Sequence, residues 1–121
     1  MQNLRVFDHV TIRVSDFDAA RSFYALALGE PTHENGSFTE WREFGIARVS
    51  ADKPLTRNLH VAFRAHDRAE VCAWFKRMTA AGYRSDGEPG ERPEYSASYY
   101  GAFVLDPDGH NVEAVCHKAA A

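Results

Sequence analysis

The stretch FDHVTIRVSDFDAARSFYALALG (residues 7–29) has a degenerate second copy in NLHVAFRAHDRAEVCAWFKRMTAAG (residues 58–82). A constant offset of 51 residues (60 − 9) aligns the two copies. The aligned pairs are His9 and His60, Val10 and Val61, Arg13 and Arg64, Asp16 and Asp67, Phe23 and Trp74, and Tyr24 and Phe75. Because an internal repeat is the signature of a repeated supersecondary unit, this duplication predicts two similar modules.

Each copy begins with a period-two alternation that is typical of a strand with one buried face. The apolar face comprises Val10, Ile12 and Val14 in the first copy, and Leu59, Val61, Phe63 and Ala65 in the second. The opposite face comprises His9, Thr11 and Arg13, and then His60, Ala62 and Arg64. Both histidines therefore lie on the face that does not pack on a helix.

A helix is predicted after each of these strands. The capping-box spacing occurs at Ser15 with Asp18 and at Asp67 with Glu70, and such pairs mark helix N-termini. Gly29 and Gly82 stand where a left-handed C-terminal cap would end each helix. The apolar stripe of the second helix is core rather than a cofactor site.

Three short strands are predicted after each helix, which makes the order β-α-β-β-β twice. In the first copy they are EPTHEN, SFTEWREF and IARVS, and in the second they are YRSDG, SYYGAFVLD and HNVEAVCH. The segment DGEPGERPEYSA is rich in Gly, Pro and charge and is predicted to be a loop. In DPDGHNVEAV, the Asp-Pro-Asp-Gly segment is a type I turn signal before the last strand.

Composition excludes several classes of function. With 121 residues, 45% hydrophobic and 26% charged, the chain is expected to fold as one globular domain. A net charge of −3 argues against nucleic acid as a partner, and no segment reaches membrane-span length or looks like a signal peptide. Cys72 and Cys116 form no CxxC pair, which favours buried thiols in the cytoplasm.

Three potential metal ligands lie on matching strand faces. In the last strand, Val112, Ala114 and Cys116 form the apolar face, so Glu113 points the same way as His9 and His60 do on their strands. Two imidazoles and one carboxylate are the ligand set of a facial site for iron, manganese, nickel or zinc. The rival interpretation is that each is an ordinary strand residue, and the residues alone leave the two about even.

These features resemble the vicinal oxygen chelate superfamily, which includes glyoxalase I, extradiol dioxygenases, fosfomycin-inactivating thiol transferases and bleomycin-resistance proteins. The likeness rests on the two β-α-β-β-β modules, the histidine opening each, and the closing DPDGHNVEAV, and it covers about residues 4–117. It implies an α+β fold in which two tandem βαβββ modules, residues 4–51 and 58–117 of a single domain (1–121), curl mixed sheets around a shared cleft. It also implies a small-molecule substrate and a homodimer.

The resemblance matches His9, His60 and Glu113 to three of the family's ligand positions, all for a divalent metal ion. The fourth would lie in IARVS, where alternation is expected to point Ile46, Arg48 and Ser50 into the cleft. No carboxylate is present there, which argues against glyoxalase I chemistry. Arg48 raises an alternative, because it could pair with Glu113 and take the place of the metal.

The expected function is therefore a metal-dependent enzyme that chelates a small substrate through vicinal oxygens, by isomerase or lyase, thiol transferase or dioxygenase chemistry. The alternative is a metal-free protein, similar to the bleomycin-resistance branch, that sequesters an aromatic or hydrophobic ligand. Alternation sends either Tyr99 or Tyr100 into the cleft, which Arg48 is also expected to line. A cleft tyrosine can donate a hydrogen bond or act as an acid, and the alternative role for either is core packing. The substrate and the native metal are not identified by these patterns.

Overall fold

The computed structural model describes residues 6–120, and the chain divides into two compact units between Thr56 and Arg57. The first unit contains β1 (Val10–Val14), α1 (Phe17–Leu28), β2 (His33–Asn35), β3 (Phe38–Trp41) and β4 (Phe44–Arg48). The second contains β5 (His60–Arg64), α2 (Arg68–Ala80), β6 (Ser85–Glu91), β7 (Tyr100–Leu105) and β8 (Asn111–Cys116). The predicted β-α-β-β-β order is confirmed in both units.

Both units build the same four-stranded mixed sheet. The strand orders are β1-β4-β3-β2 and β5-β8-β7-β6. In each sheet the first and last strands pair in parallel, while the remaining neighbours are antiparallel. The helix that follows the first strand crosses over the sheet, which is how a chain joins strands of the same direction. The last strand of each module therefore lies beside the first, away from the sheet edge.

The helices begin at aspartates. The Asp16 side chain accepts a hydrogen bond from the backbone N–H of Ala19, so the first cap lies one residue after the predicted Ser15. In the second helix Asp67 caps Glu70 as predicted. The Glu70 carboxylate, however, accepts from the backbone N–H of His66 at 2.6 Å rather than from that of Asp67. These caps place the start of α2 directly after the end of β5.

One face of each sheet packs on its helix. In the first unit the buried side chains include Ile12, Val14, Phe23, Tyr24 and Ile46, and in the second they include Val71, Trp74, Met78, Val104, Val112 and Cys116. The helical stripe predicted as core is confirmed as core. The other face carries Thr11 and Arg13 in the first sheet, and His60, Arg64 and Glu113 in the second.

Two predicted boundaries are wrong. The expected loop DGEPGERPEYSA begins inside β6, which pairs with β7 through two register irregularities between Ser85 and Gly90. Those bulges let a Gly- and Pro-containing segment remain a strand, since the ladder is interrupted locally. SFTEWREF is divided by a turn at Arg42, whose φ is 55°. Within residues 6–120, no helix is long and apolar enough to span a bilayer.

Candidate functional site

Glu113 is a buried carboxylate in the middle of the second sheet. It lies on β8, opposite Ala62 of β5 on one side and Phe103 of β7 on the other. Its side chain is 0% exposed. Because an ionised carboxylate is costly to bury without partners, the contacts of Glu113 define this site.

Both oxygens of the Glu113 carboxylate have a partner. Nε2 of His60 lies 2.8 Å from Oε1, and because an ionised carboxylate only accepts, His60 donates with its proton on Nε2. The hydroxyl of Tyr99 donates a short hydrogen bond to Oε2. The His60 side chain is 58% exposed, so this pair joins a buried charge to an imidazole that solvent can reach.

Glycine at position 101 makes room for this carboxylate. A Cβ built on Gly101 would lie 2.7 Å from Oε2 of Glu113, closer than real Cβ contacts. Gly101 lies on the same face of β7 as Phe103, opposite Val115 and diagonal to Glu113. The absence of a side chain there lets the carboxylate stay between the two donors.

Only one of the two candidate tyrosines faces Glu113. Tyr99 lies against it, whereas Tyr100 pairs with Cys116 and contacts the helix side: its hydroxyl is 3.3 Å from Sγ of Cys72. Burial, followed by the hydrogen bond to Glu113, raises the pKa of Tyr99 well above its usual value. Tyr99 therefore holds its proton throughout the neutral range.

The aromatic ring of Phe103 lies beside the exposed imidazole of His60. The centroid of the Phe103 ring is 6.1 Å from that of His60. The same ring covers Gly87, where a Cβ would lie 2.7 Å from Phe103 Cδ1, and the guanidinium of Arg92 stands 5.4 Å above it. His60 and Phe103 thus offer a ligand one polar edge and one apolar surface.

His9, the third predicted ligand, lies in the first unit just before β1. Its side chain is 62% exposed, and Nδ1 is 2.6 Å from Oδ1 of Asp8. The hydrogen bond to Asp8, with smaller help from the charges of Asp8 and Glu40, raises the pKa of His9. Since only neutral imidazole can bind a metal, this environment would weaken metal binding by His9 at acidic pH.

The expectation that Arg48 shares the polar face is wrong. The β1–β4 register pairs Ile12 with Ile46 and Val14 with Arg48, which places Arg48 on the helix-facing side. Its guanidinium lies 4.4 Å from the ring centroid of Phe17 in α1, and Nε donates to the carbonyl of Gly36. Among residues 6–120, the hydrogen-bond partners of the Glu113 carboxylate are His60 and Tyr99, both from its own unit.

The same register identifies the first unit's counterpart of Glu113 as Gly45, opposite Thr11. The carboxylate on that face is instead Glu40, directly across from Gly45 on β3. Sequence alternation did not single out Glu40, although it alternates with the buried Thr39 and Trp41. The alternation in SFTEW is the sequence signal that would have singled out Glu40. The strand register is needed as well to place Glu40 opposite Gly45.

No group of three His, Cys, Asp or Glu side chains arranged to hold a metal occurs within residues 6–120. The donor set still fits a divalent ion in part, because His60 Nε2 and Glu113 Oε1 are as close as two ligands on one ion. Imidazole and carboxylate also suit iron, manganese, nickel or zinc. The structure thus brings together His60, Glu113 and Tyr99, whereas His9 and Arg48 belong to the other unit.

Replacing Gly101 by alanine is expected to lower the free energy of unfolding by about 1–3 kcal/mol, because the added methyl displaces a carboxylate held by two donors. Urea unfolding measures the loss. Gly36→Ala is the matched control, since a Cβ there meets nothing within 4 Å, and its effect should stay within about 0.5 kcal/mol. Equal effects of the two substitutions would contradict the close packing proposed for Glu113.

Replacing Tyr99 by phenylalanine leaves Oε2 of Glu113 without its donor and should cost about 1–3 kcal/mol near neutral pH. The raised pKa of Tyr99 also predicts a pH dependence. A tyrosine whose folded pKa exceeds its unfolded value stabilises the fold fully below the unfolded pKa, and that stability is lost as pH rises toward the folded pKa.

Urea unfolding at about pH 9 and about pH 11, on either side of the unfolded value for tyrosine, measures this dependence. The native protein should lose more stability between the two than Tyr99→Phe does. The tyrosinate absorbance of the variant should also lack a component that the native protein develops only at very alkaline pH. Parallel losses in both proteins would overturn the assignment of the hydrogen bond.

Comparisons with known proteins agree with this architecture. The family model for the Glyoxalase/Bleomycin resistance protein/Dioxygenase superfamily matches residues 6–114. A probable lactoylglutathione lyase of Vibrio cholerae is 29% identical, over 99% of this chain and 96% of that protein. A metallothiol transferase, FosB, of Shouchella clausii is 28% identical, over 88% of this chain and 76% of that protein.

A solved structure of a glyoxalase/bleomycin resistance protein from Albidiferax ferrireducens superposes with a TM-score of 0.79 at 28% identity, covering 93% of this chain and 99% of that one. A lactoylglutathione lyase from Agrobacterium tumefaciens superposes with a TM-score of 0.72, and at 21% identity it supports the fold alone. The family model covers most of the chain, and the two mixed sheets with crossover helices are the family's architecture. The chain therefore belongs to the glyoxalase/bleomycin resistance protein/dioxygenase superfamily, also called the vicinal oxygen chelate superfamily.

Proposed function

We propose that this protein is a divalent-metal-dependent enzyme that acts on a small substrate through two neighbouring oxygen atoms. The observation that carries the proposal is the buried Glu113 carboxylate, with Oε1 2.8 Å from Nε2 of an exposed imidazole, His60. A charge buried so completely is expensive, and a role as an anionic metal ligand gives a reason to retain it. The opposite side of His60 is open to a ligand.

His60 and Glu113 would hold the ion, and His9 is the proposed third ligand. The role of His9 is argued from the repeat, because it precedes β1 as its aligned partner His60 opens β5. When bound, iron, manganese, nickel or zinc would act as a Lewis acid for a substrate carrying vicinal oxygens. Binding would require the Nε2 lone pair of His60 to face the ion, so the ring would carry its proton on Nδ1 when the ion is bound.

The chain's own residues have definable parts in this function. Tyr99 keeps a proton on its hydroxyl and aims it at Oε2 of Glu113, which orients the carboxylate so that Oε1 faces His60. Phe103 supplies an apolar surface next to that imidazole. Glu40 is a second carboxylate, on the polar face of the first unit.

The reaction belongs to one of the classes that the family's members carry out. The relatives named lactoylglutathione lyase and metallothiol transferase are similar to this chain at 28–29% identity, which supports lyase or transferase chemistry. Isomerase and dioxygenase chemistry stay in the proposal through the family alone. Homodimerisation stays part of the proposal. Val6 and Phe7, before β1, expose large apolar side chains, and we propose that a second copy covers them.

The test of metal dependence is metal content by mass spectrometry, followed by titration of the chelator-treated protein with iron(II), manganese, nickel and zinc. The native protein is expected to hold about one ion per chain. Glu113→Gln and His60→Ala should lose at least tenfold in affinity, since each removes a ligand. His9→Ala should behave in the same way if His9 is the third ligand.

His33→Ala is the matched control, because His33 is an exposed histidine on β2 that is not proposed as a ligand. It should retain native metal affinity. If the native protein takes up none of the four ions, or if His33→Ala weakens uptake as much as His60→Ala, the metal-dependent function is overturned. Circular dichroism of each variant separates the loss of a ligand from the loss of the fold.

One observation favours a second function, that of a metal-free binding protein. Both oxygens of Glu113 already accept hydrogen bonds, from His60 and Tyr99, so the carboxylate is satisfied without an ion. In that case the exposed edge of His60 and the ring of Phe103 would hold an aromatic or hydrophobic ligand. Ligand binding unaffected by chelator, in a protein that takes up no metal, would support it.

A further inference from the structure

We infer that a second binding site for an oxyanion lies at the carboxyl ends of β5 and β8, and that the substrate carries a carboxylate or phosphate group to fill it. The inference rests on the proposed function, because it names a chemical feature of that substrate. A cavity of about 410 Å³ marks the place. Its lining residues are Arg64, Ala65, His66, Glu70, His117 and Lys118.

The topology brings these residues together within the second unit. β5 and β8 are parallel neighbours, and the ladder continues past β5 with the backbone N–H of Ala65 donating to the carbonyl of Val115 at 2.8 Å. Both strands therefore end side by side. Arg64 ends β5, while His117 and Lys118 follow β8, so their side chains converge without any long loop.

The charge of the cavity favours an anion. Arg64 and Lys118 are cations, and the imidazoles of His66 and His117 line the cavity beside them. The single lining carboxylate, Glu70, is already engaged by the backbone N–H of His66 at 2.6 Å. An oxyanion would therefore meet two cations and only one carboxylate, whose own hydrogen bond holds it against the backbone.

Arg64 is the key side chain of this site. Its guanidinium has no hydrogen-bond or ion-pair partner among residues 6–120, whereas Arg68 pairs with Glu91 and Arg92 donates to the carbonyl of Glu88. A guanidinium has five N–H donors in a planar fork that matches carboxylate and phosphate. An unpaired guanidinium that lines a cavity is therefore suited to bind the anionic group of a ligand.

Two of the lining residues connect this site to the carboxylate site: Arg64 and His117 alternate onto the sheet face of Glu113, whereas Ala65 and Glu70 line the cavity from the side of α2. Arg64 pairs with Val115, which alternates with Glu113, and the His117 ring packs edge-on against Tyr99 at 5.2 Å. At about 3.3 Å per strand residue, Arg64 lies roughly 7 Å along the strands from Glu113, and His117 lies roughly 13 Å away. A small substrate that reacts beside His60 and Glu113 can therefore reach Arg64 if it carries an anionic group roughly 7 Å from its reacting centre.

The experiment is a two-dimensional amide NMR titration of the full chain, as purified, with inorganic phosphate and separately with succinate, at constant ionic strength. Saturable shifts confined to the amides of residues 64–66, 70 and 117–118 are expected. Arg64→Gln should weaken binding about tenfold or more, since it removes a charge-assisted hydrogen bond. Whichever probe saturates at the lower concentration assigns phosphate or carboxylate as the anion.

Lys76→Gln is the matched control, because Lys76 is an exposed cation on α2 outside the cavity. It should bind both probes as the native protein does. Shifts that do not saturate, or an equal loss in Lys76→Gln and Arg64→Gln, would overturn the oxyanion site. A normal spectrum for Arg64→Gln verifies that the strand remains folded.

Glu113→Gln separates this inference from the proposed metal. If phosphate binds to a metal ion, its binding should disappear in Glu113→Gln and persist in Arg64→Gln, which would overturn the site at Arg64. If it persists in Glu113→Gln and weakens in Arg64→Gln, the oxyanion site exists whether or not the chain holds a metal. Metal titration of the same samples reports on the proposed function independently.

Discussion

The burial of the Glu113 carboxylate is the constraint around which the second unit is arranged. Removing a charge from water costs several kcal/mol unless donors replace the lost solvent, and here His60 and Tyr99 replace it on both oxygens. Gly101 must lack a side chain for the carboxylate to fit. Residues on β5, β7 and β8 are thus arranged around the Glu113 carboxylate. The residue that constrains the packing of the unit is also the proposed metal ligand.

The two units share a topology but differ in what their polar faces carry. Where the second unit has Glu113 opposite Ala62, the first has Gly45 opposite Thr11. Phe38 occupies the space above Gly45, since a Cβ there would lie 2.8 Å from its ring. The two copies therefore share their architecture. The second has a buried carboxylate in its parallel strand pair, β5 and β8, whereas the parallel pair of the first, β1 and β4, has none at the equivalent position.

The proposed metal site and the proposed oxyanion site together predict two features of the substrate. The exposed edge of His60 and the Phe103 ring would receive its reacting, oxygen-rich end, and Arg64 would receive an anionic group further along the same sheet face. Both depend on the parallel pairing of β5 with β8, because that pairing aligns His60, Glu113 and Arg64 on one surface. The helix crossover that allows parallel pairing is thus also what allows a site of this shape.

The sequence by itself determined the duplication, the order of elements, the helix caps near Asp16 and Asp67, and the face on which His60 and Glu113 lie, because periodicity and capping are local properties. It did not determine which side chains of β4 face α1 and which face away from it. Arg48 was assigned to the wrong face because the parallel register with β1, not the alternation of IARVS, decides which side chains point toward α1. It also left Tyr99 and Tyr100 unresolved and overlooked Glu40. Only the tertiary structure decides which side chains from strands distant in sequence meet, because a strand's own pattern defines two faces without saying which neighbour each face will contact.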